Sequence, residues 1–332
     1  MRSKRLAAGP RLGARVCLAV IFAALLAQPK IVRAQHAVQN AVGPDCDRAC
    51  LYGVLDQYLH ALGAKNPAGV PWAKFVKNTE NNVALRVGDG LWGTITSFGS
   101  YNLRFADPAG GQVGFFGLVT ETRTTSTYAL RLKVEDGKIA EVETVLRRPE
   151  AGGPFPNPPV LADKPVLNEI VPPEHRVPRA RLIALVDGYF NTLQLNDGTL
   201  FTQFTDDCNR IENGLQTTHN PDLVKTIPVA NLGCADQFKM GNYRYDTALR
   251  ARRYPLVDEE RQLVLAGGFI DHSGALGTFK LTDGTVIDSP MRTPSTLCLM
   301  ELFRIQDGKI RQIEAVFIGV PYGMPSPWVP SE

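Results

Sequence analysis

The stretch TLCLMELFRIQDGKIRQIEAVF (Thr296–Phe317) repeats in outline an earlier segment, TYALRLKVEDGKIAEVETVL (Thr127–Leu146). Each is a pair of apolar-rich runs joined by Asp-Gly, at Asp136-Gly137 and Asp307-Gly308. A two-residue turn needs positive φ at its centre, which glycine adopts without steric cost, so both segments read as β-hairpins. One acid breaks the symmetry. Glu301 stands inside an otherwise apolar strand, where the first copy has Leu130.

The likeness extends outward from the hairpins. LYGVLDQYLHAL (Leu51–Leu62) lines up with LIALVDGYFNTL (Leu182–Leu193), pairing Asp56 with Asp187 and Tyr58 with Tyr189. Leu51, Leu55, Tyr58, Leu59 and Leu62 share one helical face, as do Leu182, Leu185, Val186, Tyr189 and Leu193, so each segment predicts an amphipathic helix. NTENN around Glu80 parallels NRIENG around Glu212, each read as the start of a strand, and PWAKFV and GTLFTQF read as short second helical stretches. The second copy carries about 40 additional residues between its helix and its last hairpin.

A proline-rich stretch separates the copies, with nine prolines in residues 149–178. Proline fixes φ and removes an amide donor, which predicts an extended linker without elements of its own. The expected organisation is a signal peptide (1–34), a first domain (46–148), the linker (149–177), a second domain (178–320) and a tail (321–332). Helices followed by strands predict an α+β class, each domain a curved antiparallel sheet wrapped around its N-terminal helix. Such a sheet leaves a deep, mostly apolar pocket.

Arg2, Lys4, Arg5, Arg11 and Arg15 precede the apolar run VCLAVIFAALLA (Val16–Ala27), and Val32-Arg33-Ala34 offers small residues for cleavage. This predicts a secretory signal removed before Gln35, and a periplasmic or secreted protein with no membrane association after cleavage. The segment 1–34 holds seven basic residues and no acid, leaving 29 basic against 33 acidic residues, a net of −4. That balance argues against a nucleic-acid surface. In an oxidising compartment the expected disulfides are Cys46–Cys50 and Cys208–Cys234, with Cys298 a buried free thiol.

The order of a helix with YLHAL, a strand carrying an acid and a terminal FRIQDGKIRQIEAVFIG resembles the NTF2-like superfamily, in particular its ketosteroid isomerase and SnoaL-like branch. TENNVALRVGDGLWG and LGCADQF are also similar to secreted bacterial and fungal members of that superfamily. The resemblance implies two tandem cone folds packed as an intramolecular pseudo-dimer. It also implies a site in the second domain. Tyr189 would donate to a developing oxyanion, Glu212 would shuttle a proton, and Glu301, kept neutral by apolar surroundings, would help hold the oxyanion. The first copy matches with Tyr58 and Glu80 but has Leu130 in the third place, so it resembles a degenerate site.

The chemistry is separable from the resemblance. Burial disfavours a carboxylate's charged form, so a buried acid can act as base or remain neutral as a donor. Preorganised hydroxyl and acid donors stabilise an enolate. Asp271-His272, aligned with Glu121-Thr122, adds a candidate proton carrier, and Arg253 and Tyr254 are candidate substrate-binding residues. No metal-ligand spacing, phosphate loop, dinucleotide fingerprint or nucleophile elbow occurs. The expected function is therefore a cofactor-independent lyase or isomerase acting by general acid/base chemistry on a small, largely apolar carbonyl or aromatic substrate. The alternative is a secreted hydrophobic-ligand-binding protein without catalysis.

Overall fold

The two halves follow one order of elements. The structure, a computed structural model, describes residues 46–150, 155 and 161–329. The expected signal peptide, part of the linker and the last three residues of the tail lie outside the described residues. The first half contains helix α1 (Arg48–Gly63), strands β1 (Trp72–Glu80) and β2 (Val83–Ala84), a one-turn helix α2 (Leu91–Thr94), and strands β3 (Ile95–Asp107), β4 (Gln112–Glu121), β5 (Thr124–Glu135) and β6 (Lys138–Arg147). The proline-rich linker, expected to hold no element of its own, contains a helical turn, α3 (Pro165–Asn168), and a 3-10 turn at Pro173–His175, because proline is accepted at the first position of a helical turn. The second half contains α4 (Arg179–Leu195), β7 (Phe204–Glu212), β8 (Leu215–Gln216), α5 (Cys234–Lys239), β9 (Ala248–Asp258), β10 (Leu263–His272), β11 (Thr278–Lys280), β12 (Val286–Asp288), β13 (Ser295–Gln306) and β14 (Lys309–Val320).

The sheets have the same strand order, β2-β1-β6-β5-β4-β3 and β8-β7-β14-β13-β10-β9, with β11–β12 a small separate pair. The class is α+β. Both Asp-Gly turns take positive φ, 50° and 70° in the first hairpin, 49° and 73° in the second. The ladder register equates Leu130 with Glu301, since both lie at the same distance from their turns. The same register sets His272, rather than Asp271, opposite the place that Glu121 holds in the first copy.

Four expectations are corrected. The sheets are mixed, because β1 pairs with β6, and β7 with β14, in parallel. A parallel pair needs a long crossover, and the chain between the first and last strands of each half supplies it. PWAKFV is strand rather than helix. Its inward residues Trp72 and Val76, followed by Asn78 and Glu80, fall on even positions, which is strand periodicity. GTLFTQF is a bend leading into β7. Glu80 and Glu212 end their strands instead of starting them, because Asn81-Asn82 and Asn213-Gly214 take positive φ and turn the chain back.

The helices lie where their apolar faces direct them. α1, capped by the Asp47 carboxylate accepting from the Cys50 amide at 2.9 Å, buries Leu51, Leu55, Tyr58 and Leu62 against the first sheet. α4 buries Leu182, Val186 and Tyr189 against the second. Gly188 in α4 is required by a close approach, since a Cβ there would stand 2.4 Å from the Phe201 carbonyl oxygen.

The opposite faces of the two sheets share a core. Leu103, Phe105 and Phe116 of the first sheet meet Leu265, Met300 and Leu302 of the second, and Leu167 of α3 joins them. Burial of this kind contributes roughly 25 cal/mol per Å² of apolar surface. Paired charges frame the shared core. Arg48 at the start of α1 holds Asp258 at the end of β9 at 2.7 and 2.8 Å. Arg179 at the start of α4 holds Asp107 at the end of β3 at 3.0 and 2.5 Å. Each carboxylate also accepts a backbone amide from the other half, Ala106 onto Asp258 and Val257 onto Asp107. The arrangement is reciprocal, and the two halves belong to one compact unit.

Cys46–Cys50 and Cys208–Cys234 are disulfides, and Cys298 is free and buried. Structural disulfides are characteristic of oxidising compartments. Among the described residues no helix is long and apolar enough to cross a membrane.

Candidate functional site

The second sheet brings Tyr189 and Glu301 together. Alternation along β13 turns Leu299, Glu301 and Phe303 toward α4, while Met300 and Leu302 face the other half. Tyr189, late in α4, donates its hydroxyl to Glu301 Oε1 at 3.1 Å, and both residues are buried. Burial pushes the Glu301 carboxyl up to about 8, aided by the Glu212 charge and opposed by Arg210 and the Tyr189 hydrogen bond. Burial, then the neighbouring Glu301, raises the Tyr189 hydroxyl well above its usual range. At neutral pH the pair is an uncharged acid beside an uncharged phenol.

Glu212, at the end of β7, is the partly open member, with its side chain 24% exposed. Its Oε1 lies 3.4 Å from Arg210 Nε. Arg210 sits two residues earlier on the same face of β7 and is among the most deeply buried large side chains. It donates to Gln237 Oε1 at 2.5 Å and to the Tyr243 hydroxyl, while Tyr243 donates to Gln237 Oε1 at 2.6 Å. Burial opposes the charge on this guanidinium, but Tyr243 and Glu212 beside it favour the charged form, and its pKa is raised. A buried cation held by polar partners lets two carboxyls approach one cavity.

The other predicted residues lie elsewhere. His272 is on the inner face of β10 and pairs through Nε2 with Asp246 Oδ1 at 2.9 Å, while its Nδ1 has no partner among the described residues. Burial raises Asp246 above the usual carboxylate range, although His272 opposes the shift. Asp271 points to the opposite face. It accepts from Thr296 Oγ1 at 2.5 Å and from Arg250, and these partners outweigh burial and hold its pKa low. Arg253 does not face the Tyr189 site. It forms a bidentate ion pair with Glu143 of the first half, since β9 carries two register shifts that turn this residue toward the other sheet. Tyr254 donates to Asp187 Oδ1 at 2.7 Å on the α4 side. Its role there is to tie strand to helix.

The expected open pocket is also corrected. The segment added to the second copy carries α5, and the Cys208–Cys234 bridge fastens α5 to β7. Phe238 of α5 packs 5.3 Å, centroid to centroid, from the Tyr189 ring, which Phe190, Phe204 and Phe303 also surround. Gln237 is fully buried and donates to the Thr217 and Val229 carbonyls at 2.7 and 3.1 Å. The protein's own side chains thus fill the space beside Tyr189 and Arg210. Arg210, Gln237 and Tyr243 were not singled out in the sequence. Arg210 had one available signal, a position two residues from Glu212 on the same strand face. Gln237 and Tyr243 lie in the added segment, where no periodicity marks a face. Among the described residues no three His, Cys, Asp or Glu side chains converge as a metal site.

Residues 175–317 match the family model of a domain of unknown function, DUF8021. The match runs from just before α4 into β14 and so contains Tyr189, Arg210, Glu212, Gln237, Tyr243 and Glu301. No curated protein matches the chain.

Proposed function

We propose that the protein is a secreted or periplasmic pair of NTF2-like cones, packed as an intramolecular pseudo-dimer, whose second cone performs cofactor-independent general acid/base chemistry. The reaction is an isomerisation or elimination on a small, largely apolar carbonyl or aromatic compound. One observation carries this reading: a buried, neutral Glu301 hydrogen-bonded to Tyr189, on the same inner face as the partly exposed Glu212. A carbonyl oxygen entering here would replace Glu301 Oε1 as acceptor of the Tyr189 hydroxyl and accept a second hydrogen bond from the neutral Glu301 carboxyl, which keeps its proton. Glu212 would then remove an α-proton, the electron pair would move onto the carbonyl oxygen, and the same carboxyl would return the proton at the γ-carbon. Entry requires the α5 segment to give way, because Gln237 and Tyr243 occupy the space beside Arg210.

The packing of four phenylalanine rings around Tyr189 favours a second reading, a binding site for a hydrophobic ligand without turnover. Isomerisation of cyclohex-3-enone, followed by the absorbance of its conjugated product, separates the two. Catalysis predicts turnover that falls by about 10²–10⁴ in Glu212→Gln and is unchanged in Glu80→Gln. The catalytic reading fails if wild type and Glu212→Gln are equally slow, or if only Glu80→Gln loses activity.

A further inference from the structure

The two halves meet through a reciprocal pair of glutamates. Glu143 of β6 and Glu314 of β14 hold the same place, each one residue before the ladder partner of Leu130 or Glu301. Each reaches the edge strand of the other half, Glu143 meeting Arg253 of β9 at 2.8 Å and Glu314 the Tyr101 hydroxyl of β3 at 2.6 Å. Each contact has its own cover. Over the Glu314 contact it is the linker: Asp163 and Lys164 act electrostatically on Tyr101 and Glu314, and Leu167 packs in the same core. Over the Glu143 contact it is the segment after β14, residues 321–329.

The two covers are fastened differently. The linker joins the halves and is tied to both. Residues 321–329 form neither helix nor strand, and among the described residues their backbone bonds to the rest of the chain go to side chains. The Gly323 amide donates to Thr296 Oγ1 at 2.9 Å, and the Met324 carbonyl accepts from Arg250 at 3.3 Å. The Pro325 carbonyl accepts from Asn82 Nδ2 at 2.9 Å, and the Pro327 carbonyl from Lys77. Thr296 and Arg250 belong to the second half, Asn82 and Lys77 to the first, so the segment crosses the seam. Trp328 is its anchor. The ring centroid lies 4.3 Å from the Lys77 amine, 4.7 Å from the Arg131 guanidinium and 5.5 Å from that of Arg253. An indole is the side chain that cations hold best through the ring quadrupole.

Cys298 lies beneath this ring. Trp328, Glu143, Arg253 and Cys298 line one small space with room for about one water, so the ring covers a seam rather than a ligand site. Cys298 is the free thiol among the described residues and is 8% exposed. Burial, then the Glu143 charge, pushes this thiol up to about 12. We propose that residues 321–329 are a releasable strap: with Trp328 seated they hold the halves together and close the seam above Cys298, and with it unseated the seam opens while both sheets stay folded. A segment held by a few side-chain bonds, without a ladder, opens at a lower free energy than the sheets it covers. The seated ring also keeps water from the Glu143–Arg253 pair, and a drier surrounding strengthens such a pair. This device is independent of the acid/base reading of the second half.

Labelling of Cys298 by N-ethylmaleimide, followed by mass on the full chain without reductant, tests it. Wild type should label only at the rate of global unfolding. Trp328→Ala should label about tenfold faster or more. Lys77→Met removes one cation from an exposed position and keeps the stem, so about a threefold acceleration is expected. Tyr322→Ala, in the same segment but exposed and away from the seat, should label as wild type does. Low urea separates seam opening from loss of the fold. Seam opening exposes little surface, so labelling of Trp328→Ala should barely change with urea, whereas a route through global unfolding would steepen with it. Rapid labelling of wild type, a wild-type rate in both Trp328→Ala and Lys77→Met, equal acceleration in Tyr322→Ala, or a urea dependence as steep as that of global unfolding would overturn the proposal.

Discussion

Tyr58 and Tyr189 hold the same place on α1 and α4, yet they face different partners. Tyr189 meets an acid, Glu301, and behind that acid stands a buried cation, Arg210. Tyr58 meets aromatic rings, with Trp92 5.4 Å and Trp72 6.1 Å away centroid to centroid, and Asn78 stands where Arg210 does. In the place of Glu301 the first half has Leu130, and its inward polar group lies two positions earlier on β5, at Tyr128. One scaffold therefore holds a charge network covered by α5 and, in its other copy, a cluster of aromatic rings beside Glu80. The difference teaches that the added segment decides what covers the inner tyrosine, while three strand positions decide polarity.

Removing the cation should break this comparison most severely. Arg210→Ala leaves Glu212, Gln237 and Tyr243 without their common donor and is expected to destabilise by about 3–5 kcal/mol in urea denaturation. Asn78→Ala, at the matching site, should cost about 1 kcal/mol. Comparable losses at both positions would show that the charge network is not what sets the second half apart.

Glu301 gives the comparison a pH dependence. Its carboxyl is raised from 4.5 to about 8 by burial, so between those values the folded chain binds a proton that the unfolded chain has released. Stability consequently falls as pH rises through this window. Buried Glu314, which accepts from the Tyr101 hydroxyl at 2.6 Å across the shared core, adds the same sign up to about 7. Glu301→Gln should flatten the slope and gain on the order of 2–4 kcal/mol at pH 9 relative to wild type, measured by chemical denaturation across pH. Leu130→Glu should install a similar slope in the first half. An unchanged slope in Glu301→Gln would refute the neutral acid.

The disulfides sharpen the comparison least. Cys208–Cys234 spans 26 residues and Cys46–Cys50 spans four. Chain entropy then predicts losses of about 3.5 and about 2 kcal/mol when each is replaced by a serine pair. Only the former should also loosen α5 over Tyr189, read by hydrogen exchange in Cys234–Lys239.

Much of the scaffold was legible because it rests on local rules. The 3.6-residue periodicity located α1 and α4, Asp-Gly located both hairpins, and the repeat itself located the halves. The misread stretches were short. PWAKFV has too few residues to distinguish periods of 2 and 3.6, and the turn at Asn81-Asn82 joins a strand ending in Glu80 to only two paired residues. Of the candidate site, Tyr189 and Glu212 match Tyr58 and Glu80 in the repeat, Glu301 stands where the repeat breaks at Leu130, and their roles came from the family resemblance. Arg253 and Asp271 could not be separated from them, since register shifts and strand faces are settled only when neighbouring strands pair.

The sequence by itself determined the duplication, the α+β plan, the cysteine pairing and the single acid that distinguishes the second hairpin. These follow from spacing and residue chemistry within short segments. Tertiary structure alone decided that Gln237 and Tyr243 hold Arg210, that Phe238 closes over Tyr189, and that Arg48 and Arg179 exchange carboxylates between the halves. Each of those contacts joins residues at least 27 positions apart. Local pattern carries no information about which distant side chain will fill a space or neutralise a charge, and that choice is made by packing.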